Sequence, residues 1–414
     1  MAPSLIPRRV LPALLILAFA LQAAPPPADP AKAGMDPAQL ARLSARMKAF
    51  VDKGTIAGAV TLIQRHGAVA ILDAVGYQDL ENKKPMAADT IFQIMSMTKP
   101  VTAIGIMMLA EEGKLAVSDP VEKHLPEFRG LWMVESRGEK SLILRRPSRT
   151  ITLRDLLTHT SGMNSGPPAG LKELLFKMDK TLAEAVSVYS QQALDFEPGT
   201  KWQYSNPGIA TLGRVIEVAS GLSFEKFLEE RIFKPLGMKD SFIFLPAGKR
   251  DRVAMVYKLE NGKLLKAGFD TLGGSPWEYR TGAKYSGPEY AMFSTASDLA
   301  ALYQMMLNGG SYQGKRLLSR ASVEAMTTLH TGELEAGHSS GMGYGLAWTV
   351  VKDPIATTNF RSLGTYGHGG AFGTQGWIDP KKDLVGVFMI QRSAGGGSDE
   401  SNAVMTMAGA AIVE

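Results

Sequence analysis

Apolar positions along this chain follow two periods, and each period keeps to its own stretches. Residues 37–53 carry the three- and four-residue spacing of a helix. Residues 57–64 and 68–75 are apolar or alternating runs around Arg65-His66-Gly67, which predicts a β-hairpin. Helical runs return at 101–109, closed by Glu111, Glu112 and Gly113, and again at 152–158, 181–189, 207–219 and 224–232. A helix is predicted at 293–307, strands at 344–351, 373–379 and 384–391, and a last helix of small and apolar residues at 401–412. Residues 142–152 read as a basic hairpin or loop. Strands therefore cluster at both ends and helices fill the middle. The expectation is an α+β fold: an antiparallel sheet built from 36–113 and 291–414, flanked by helices, with a mainly helical region, 114–290, inserted between.

Composition sharpens this at the N-terminus. Arg8 and Arg9 precede an apolar stretch, 10–21, followed by Ala18-Phe19-Ala20 and Ala23-Ala24. This is the pattern of a secretory signal over 1–24, too short to span a membrane, so the mature chain is expected to be periplasmic or secreted with no stable span. Residues 25–35 are Pro/Ala-rich and read as a linker. There is no cysteine among 414 residues, which excludes a disulfide, a thiol nucleophile and a lipidated Cys. The net charge of +5 includes the two leader arginines, and no Lys/Arg block argues for nucleic acid. Arg145, Arg146 and Arg149 read as a solvated edge. The six histidines are scattered, none in a metal-ligating spacing, and no cofactor or metal is implied.

The chemistry starts at Ser96-Met97-Thr98-Lys99. A serine hydroxyl needs a base to act as nucleophile at neutral pH, and a lysine one turn along the same helix face can stand beside it. Pro100 is tolerated if the helix begins near Ser96, which puts the serine at the positive end of a mostly apolar helix. Tyr204-Ser205-Asn206 lies just ahead of a helix with Pro207 near its first position. Gly367-His368-Gly369-Gly370-Ala371 leads into an apolar, strand-like segment. Gly337-His338-Ser339-Ser340-Gly341 also matches G-x-S-x-G. It lacks the strand before and helix after that a nucleophile elbow requires, so Ser339 is read as loop.

The three motifs in this order, with the flanks ITLRDLLTHTSGM, FEPGTKWQYSNP, KPLGM and FGTQGWIDP, resemble the serine β-lactamase and penicillin-binding-protein superfamily over residues 36–410. The match is nearest to class C β-lactamases and the esterases built on the same fold. The resemblance implies a cleft between the two regions, with Ser96 as nucleophile and Lys99 and Tyr204 sharing the proton traffic; which of the two is the base stays open. It places Asn206 in cleft hydrogen bonding, toward Lys99 or a substrate amide, although a helix N-cap is an equal use of that residue. It assigns Gly369 and Gly370 to the surface on which substrate lies, and the backbone N–H groups of Ser96 and Ala371 to the oxyanion hole. His368 stands where β-lactamases usually carry lysine. A neutral histidine offers less to a carboxylate, which tilts the expectation toward uncharged esters.

The implied activity is hydrolysis of a small-molecule ester, amide or β-lactam through an acyl-enzyme, foremost as a carboxylesterase. β-Lactamase or D-amino-acid peptidase activity is the alternative, and a non-catalytic envelope binding protein is the reading from another class. His159 is expected to buttress the fold. Trp277, Tyr279, Tyr285 and Tyr290 form an aromatic, Gly-rich loop that walls an acyl pocket or packs on the surface.

Overall fold

The computed structural model describes residues 28–168, 170, 177–268, 280, 282–393 and 398–413; the expected leader lies outside them. Helix α1 (Pro37–Asp52) begins where the Asp36 carboxylate accepts the Ala38 N–H at 2.8 Å, with Pro37 in the first position. Leu40, Leu43, Met47 and Phe50 form its buried stripe. The hairpin follows as β1 (Gly58–Arg65) and β2 (Ala68–Asp79), then a short β3 (Lys84–Pro85). Five more strands come from the far end of the chain: β4 (Met342–Tyr344), β5 (Thr349–Val351), β6 (Tyr366–Gly369), β7 (Gln375–Asp379) and β8 (Leu384–Met389).

These eight make one antiparallel sheet in the order β4-β5-β6-β7-β8-β1-β2-β3. The joint between the two sets is β1 against β8, from Val60↔Met389 to Arg65↔Leu384. All eight residues of β1 are buried, so both of its faces are covered. Ala59 and Ile63 pack under α1 and helix α5 (Ser398–Ala410); Val60 and Leu62 face the larger core, which includes α4 (Ala296–Leu307). Gly386 is required in β8. A Cβ there would lie 2.2 Å from the Trp377 ring stacked across the strand pair.

Between β3 and β4 the chain is mainly helical. Helix α2 (Thr98–Glu111) is buried from Thr98 through Leu109, as its nearly all-round apolar sequence requires. Helix α3 (Asn206–Ser220) packs against it and ends at Gly221, whose φ of +74° suits glycine.

Some expected elements take other forms, each for a tertiary reason. The strand at 344–351 is broken into β4 and β5, because Ala347 turns to φ +60° to donate its N–H to the Leu157 carbonyl at 2.8 Å. The helix expected from 293 starts at Ala296, because Phe293–Ser294 pairs with Phe92–Gln93 and Thr295 caps the helix. The basic stretch is a hairpin whose second strand, Leu142–Arg145, pairs with Met133–Arg137. Within it Arg145 pairs with Glu197 at 2.5 Å and Arg146 stacks on Trp132, while Arg149 grips Asp155 at 2.6 Å, so these arginines are structural. The helical run at 224–232 is α-helical to Leu228 and then a π-helical turn, Glu229–Phe233.

Candidate active site

Ser96 sits in a 3₁₀ turn, Met95–Met97, directly ahead of α2, where the sequence places it. The turn is under tension. Met95 has a φ of +51°, which a side-chain-bearing residue adopts only when its surroundings enforce it. The enforcing bonds are visible. The Met95 carbonyl accepts from Thr98 Oγ1 at 2.7 Å, and the Ile94 N–H reaches the Met292 carbonyl at 3.1 Å. Thr102 Oγ1 donates to the Pro288 carbonyl at 2.7 Å, sewing the 288–292 segment onto α2.

Lys99 is fully buried. Its Nζ lies 3.0 Å from Ser96 Oγ and 2.8 Å from the Glu289 carbonyl oxygen, to which it donates. Burial brings its pKa down to about 7, against the opposing pull of the Glu289 carboxylate. The same Nζ stands 4.6 Å from the centre of the Tyr204 ring. Burial pushes the Tyr204 phenol up, and a hydrogen bond with Ser96 only partly offsets this, so the residue is a neutral phenol in contact with the serine. Ser96, Lys99 and Tyr204 are thus brought together as the sequence implies.

The remaining expected residues divide. His368 lies on β6, 5% exposed, with both ring nitrogens engaged: Nδ1–H donates to the Gly369 carbonyl at 2.7 Å, and Nε2 accepts from the Tyr344 hydroxyl at 3.0 Å. Burial, helped by Lys99, drops its pKa to about 3. It is neutral and has no N–H left for a ligand. Gly370 must be glycine. A Cβ would sit 2.2 Å from Thr374 Oγ1 and 2.3 Å from the Ile94 carbonyl. This close approach sets Ala371 beside the Ser96 turn, and among the described residues the Ala371 N–H has no acceptor. Asn206 is the first residue of α3, and the cap is its neighbour: Ser205 Oγ accepts the Gly208 N–H at 3.0 Å. Among the described residues Asn206 makes no side-chain bond to Lys99 and does not line the cleft.

Three residues were missed as parts of the site. His338, inside the G-x-S-x-G stretch, meets Tyr204 edge to face with ring centres 4.7 Å apart and Trp202 likewise at 4.9 Å. Tyr344 holds His368. Glu289 is completely buried, its Oε1 accepting from the Tyr285 hydroxyl at 2.7 Å while Oε2 has no partner among the described residues, and burial raises its pKa to about 7. Only weak signals marked them: a histidine between glycines, and a lone acid in an apolar run. His159 buttresses as expected, its ring 4.5 Å from Tyr204 and its Nδ1 accepting the Ser205 N–H at 3.2 Å. Tyr285 and Tyr290 are buried and do not line the cleft; Trp277 and Tyr279 lie outside the described residues.

The cleft has a volume of about 520 Å³. Ser96, Tyr204, His338, the His368–Ala371 segment and residues of α5 line it. Ser339 lies in its wall with no base bonded to it among the described residues. A hydroxyl held by a buried, neutral-capable lysine and a neutral phenol is the arrangement of a serine nucleophile with its proton acceptor and donor.

Comparison with known proteins agrees. A model of the family described as Beta-lactamase matches residues 43–409. Protein Rv1367c of Mycobacterium tuberculosis is 31% identical over 365 residues, 84% of this chain and 88% of that protein. Esterase EstB of Burkholderia gladioli is 28% identical over 374 residues, 85% and 90%. The solved structure of EstCE1, a hydrolase with promiscuous acyltransferase activity, superposes with a TM-score of 0.77 at 25% identity, covering 91% of this chain and 99% of that one. The chain belongs to the β-lactamase family and is a serine hydrolase.

Proposed function

We propose that this member of the family is an esterase that works through an acyl-enzyme on Ser96. One observation carries the reading: a buried Lys99 Nζ, 3.0 Å from Ser96 Oγ, beside a histidine that is neutral and fully bonded. Neutral Lys99 takes the Ser96 proton as Oγ attacks the ester carbonyl. The Ser96 and Ala371 N–H groups hold the developing oxyanion, donors whose loss typically costs about 10²–10³ in rate. Tyr204, a phenol in contact with Ser96, passes a proton to the leaving alcohol and is re-protonated by the one Lys99 took from Ser96. Water then enters, gives its proton back through the same pair, and releases the acid. Because His368 presents no cation beside Ser96, a carboxylate fixed close to the reacting carbonyl, as in a β-lactam, finds no partner there.

The test is kcat/KM for a neutral short-chain p-nitrophenyl ester, a cephalosporin and a D-alanyl peptide on one purified preparation. The ester should lead. A preference for the cephalosporin or the peptide would overturn the esterase reading in favour of a β-lactamase or peptidase.

We also infer export of the chain, supported by Arg8, Arg9, the apolar run 10–21 and the small residues after it. N-terminal sequencing of envelope or secreted material should begin after about Ala20–Ala24; a Met1 start would refute cleavage.

A further inference from the structure

The cleft that Ser96 opens into contains a guanidinium that the reaction does not use. Arg361 lines it. Its chain enters from the opposite end of β6 to Ser96: Ser362 N–H is bonded at 3.0 Å to Asp379, which closes β7 beside the start of β6, whereas the Ile94 carbonyl, two residues before Ser96, meets the other end at Gly370. Strand β6 is four residues long, so the two entry points are separated by about 13 Å of strand, and the arginine side chain reaches back along it.

Arg361 is held for a purpose its own contacts leave unfinished. Nε donates to Asn359 Oδ1 at 2.6 Å. Asn359, 5% exposed, is itself fixed by donating from Nδ2 to Asn402 Oδ1 on α5 at 3.2 Å. The pair locks the plane of the guanidinium. Among the described residues neither Nη nitrogen has an acceptor, although an arginine fork is made for two parallel bonds to a carboxylate. The acid nearest in charge is Asp379, and it is committed elsewhere, to Ser362 N–H and to the Lys382 ammonium at 3.1 Å. Glu400, on the same helix as Asn402, is bound to Arg392 at 2.9 Å. Burial disfavours the charge and lowers the Arg361 pKa to about 10, so it is a cation at neutral pH in a partly dehydrated wall.

We propose that Arg361 forms an anion subsite of the active cleft, and that the preferred substrate is an ester whose acyl group ends in a carboxylate separated from the scissile carbonyl by a spacer. This rests on the esterase reading and names its substrate class. The two ends of the cleft then differ: neutral at His368, where the bond breaks, and cationic at Arg361, where the far end of the acyl chain is gripped.

The experiment uses p-nitrophenyl esters in matched pairs, one member ending in methyl and the other in carboxylate, with spacers from succinate to suberate. The readout is the ratio of kcat/KM, anionic over neutral, in the native protein, Arg361→Gln and Arg361→Lys. The native ratio should peak at one spacer length and fall with added salt. Arg361→Gln should lower that peak by about tenfold or more and flatten its salt dependence, with Arg361→Lys between, since a lysine keeps the charge and loses the fork. A binding measurement needs no turnover: adipate should raise the melting temperature of the native protein and not that of Arg361→Gln. Turnover of neutral esters with an unchanged anionic ratio in Arg361→Gln overturns the subsite and leaves the esterase standing. No ester turnover together with an adipate shift that depends on Arg361 overturns the esterase and leaves an anion site. Equal adipate shifts in both proteins overturn the subsite. If Arg361→Gln does not fold, the native-to-Arg361→Lys comparison decides, and an unchanged ratio there refutes the fork.

Discussion

Removing the buried carboxyl of Glu289 should make the enzyme work at lower pH. Lys99 must be neutral to take the Ser96 proton, so the acid limb of the rate profile follows its pKa, about 7. Two opposed effects set that value. Burial favours the neutral amine, and the Glu289 carboxylate favours the ammonium. A full opposite charge at close range moves a pKa by about 1–3 units. Glu289 titrates near 7 itself, so at the limb it carries roughly half a charge. Glu289→Gln should therefore lower the limb by about one unit, roughly a tenfold gain in the reactive fraction of Lys99 on the acid side. Tyr285→Phe, which removes the hydroxyl that stabilises the Glu289 anion at 2.7 Å, should move the limb the same way by less. The assay is kcat/KM for a neutral p-nitrophenyl ester from pH 5 to 9, with melting temperatures taken alongside. A limb that stays in place or rises in a folded Glu289→Gln protein would refute the coupling.

Other outcomes follow from the same geometry. Ser96→Ala should abolish turnover, while Ser339→Ala, with no base bonded to it, should keep at least about a tenth of it; the reverse result in folded proteins would exchange the nucleophiles. Lys99→Met should also abolish turnover yet raise the melting temperature at pH 7, because the unfolded chain binds a proton that the folded Lys99 holds only half the time, and a fall would argue against the depressed pKa. Gly370→Ala should lose stability by about 1–3 kcal/mol and activity by more than the stability explains, since the clash with Ile94 displaces the Ser96 turn. His368→Lys should lower the melting temperature without gaining cephalosporin hydrolysis, because it buries a second cation beside Lys99; an increase in that hydrolysis would show the position open to ligand.

The parts legible in the sequence are those governed by local rules. Helix α1, the β1–β2 hairpin and α3 follow from periodicity and from Pro207 near the start of α3, although the cap of α3 is Ser205 and not Asn206. The Ser96–Lys99 pair follows from helical spacing alone. What the sequence concealed depends on distant partners. Ala347 bends a strand because of Leu157, and Leu142–Arg145 becomes a strand because Met133–Arg137 lies beside it. Glu289 reads as an ordinary loop acid until its carbonyl is seen holding Lys99. His368 was read as weakly disposed to carboxylates because it is a histidine; the stronger reason is that Tyr344 and Gly369 occupy both of its nitrogens. Arg361 lies seven residues before His368 and belongs to no recognised pattern.

The seam between β1 and β8 sets a timetable. Ser96, Lys99, Tyr204 and Glu289 all belong to the chain between β3 and β4, whereas His368, Ala371 and Arg361 arrive with strands that attach only when β8 closes on β1. That closure spans most of the polypeptide and, being the longest-range pairing, should be the slow, entropically costly step of folding. Refolding should accordingly regain helical ellipticity before it regains turnover. Mild denaturant that parts the seam should silence the enzyme while much of the helical signal persists, so catalytic competence is acquired last and surrendered first.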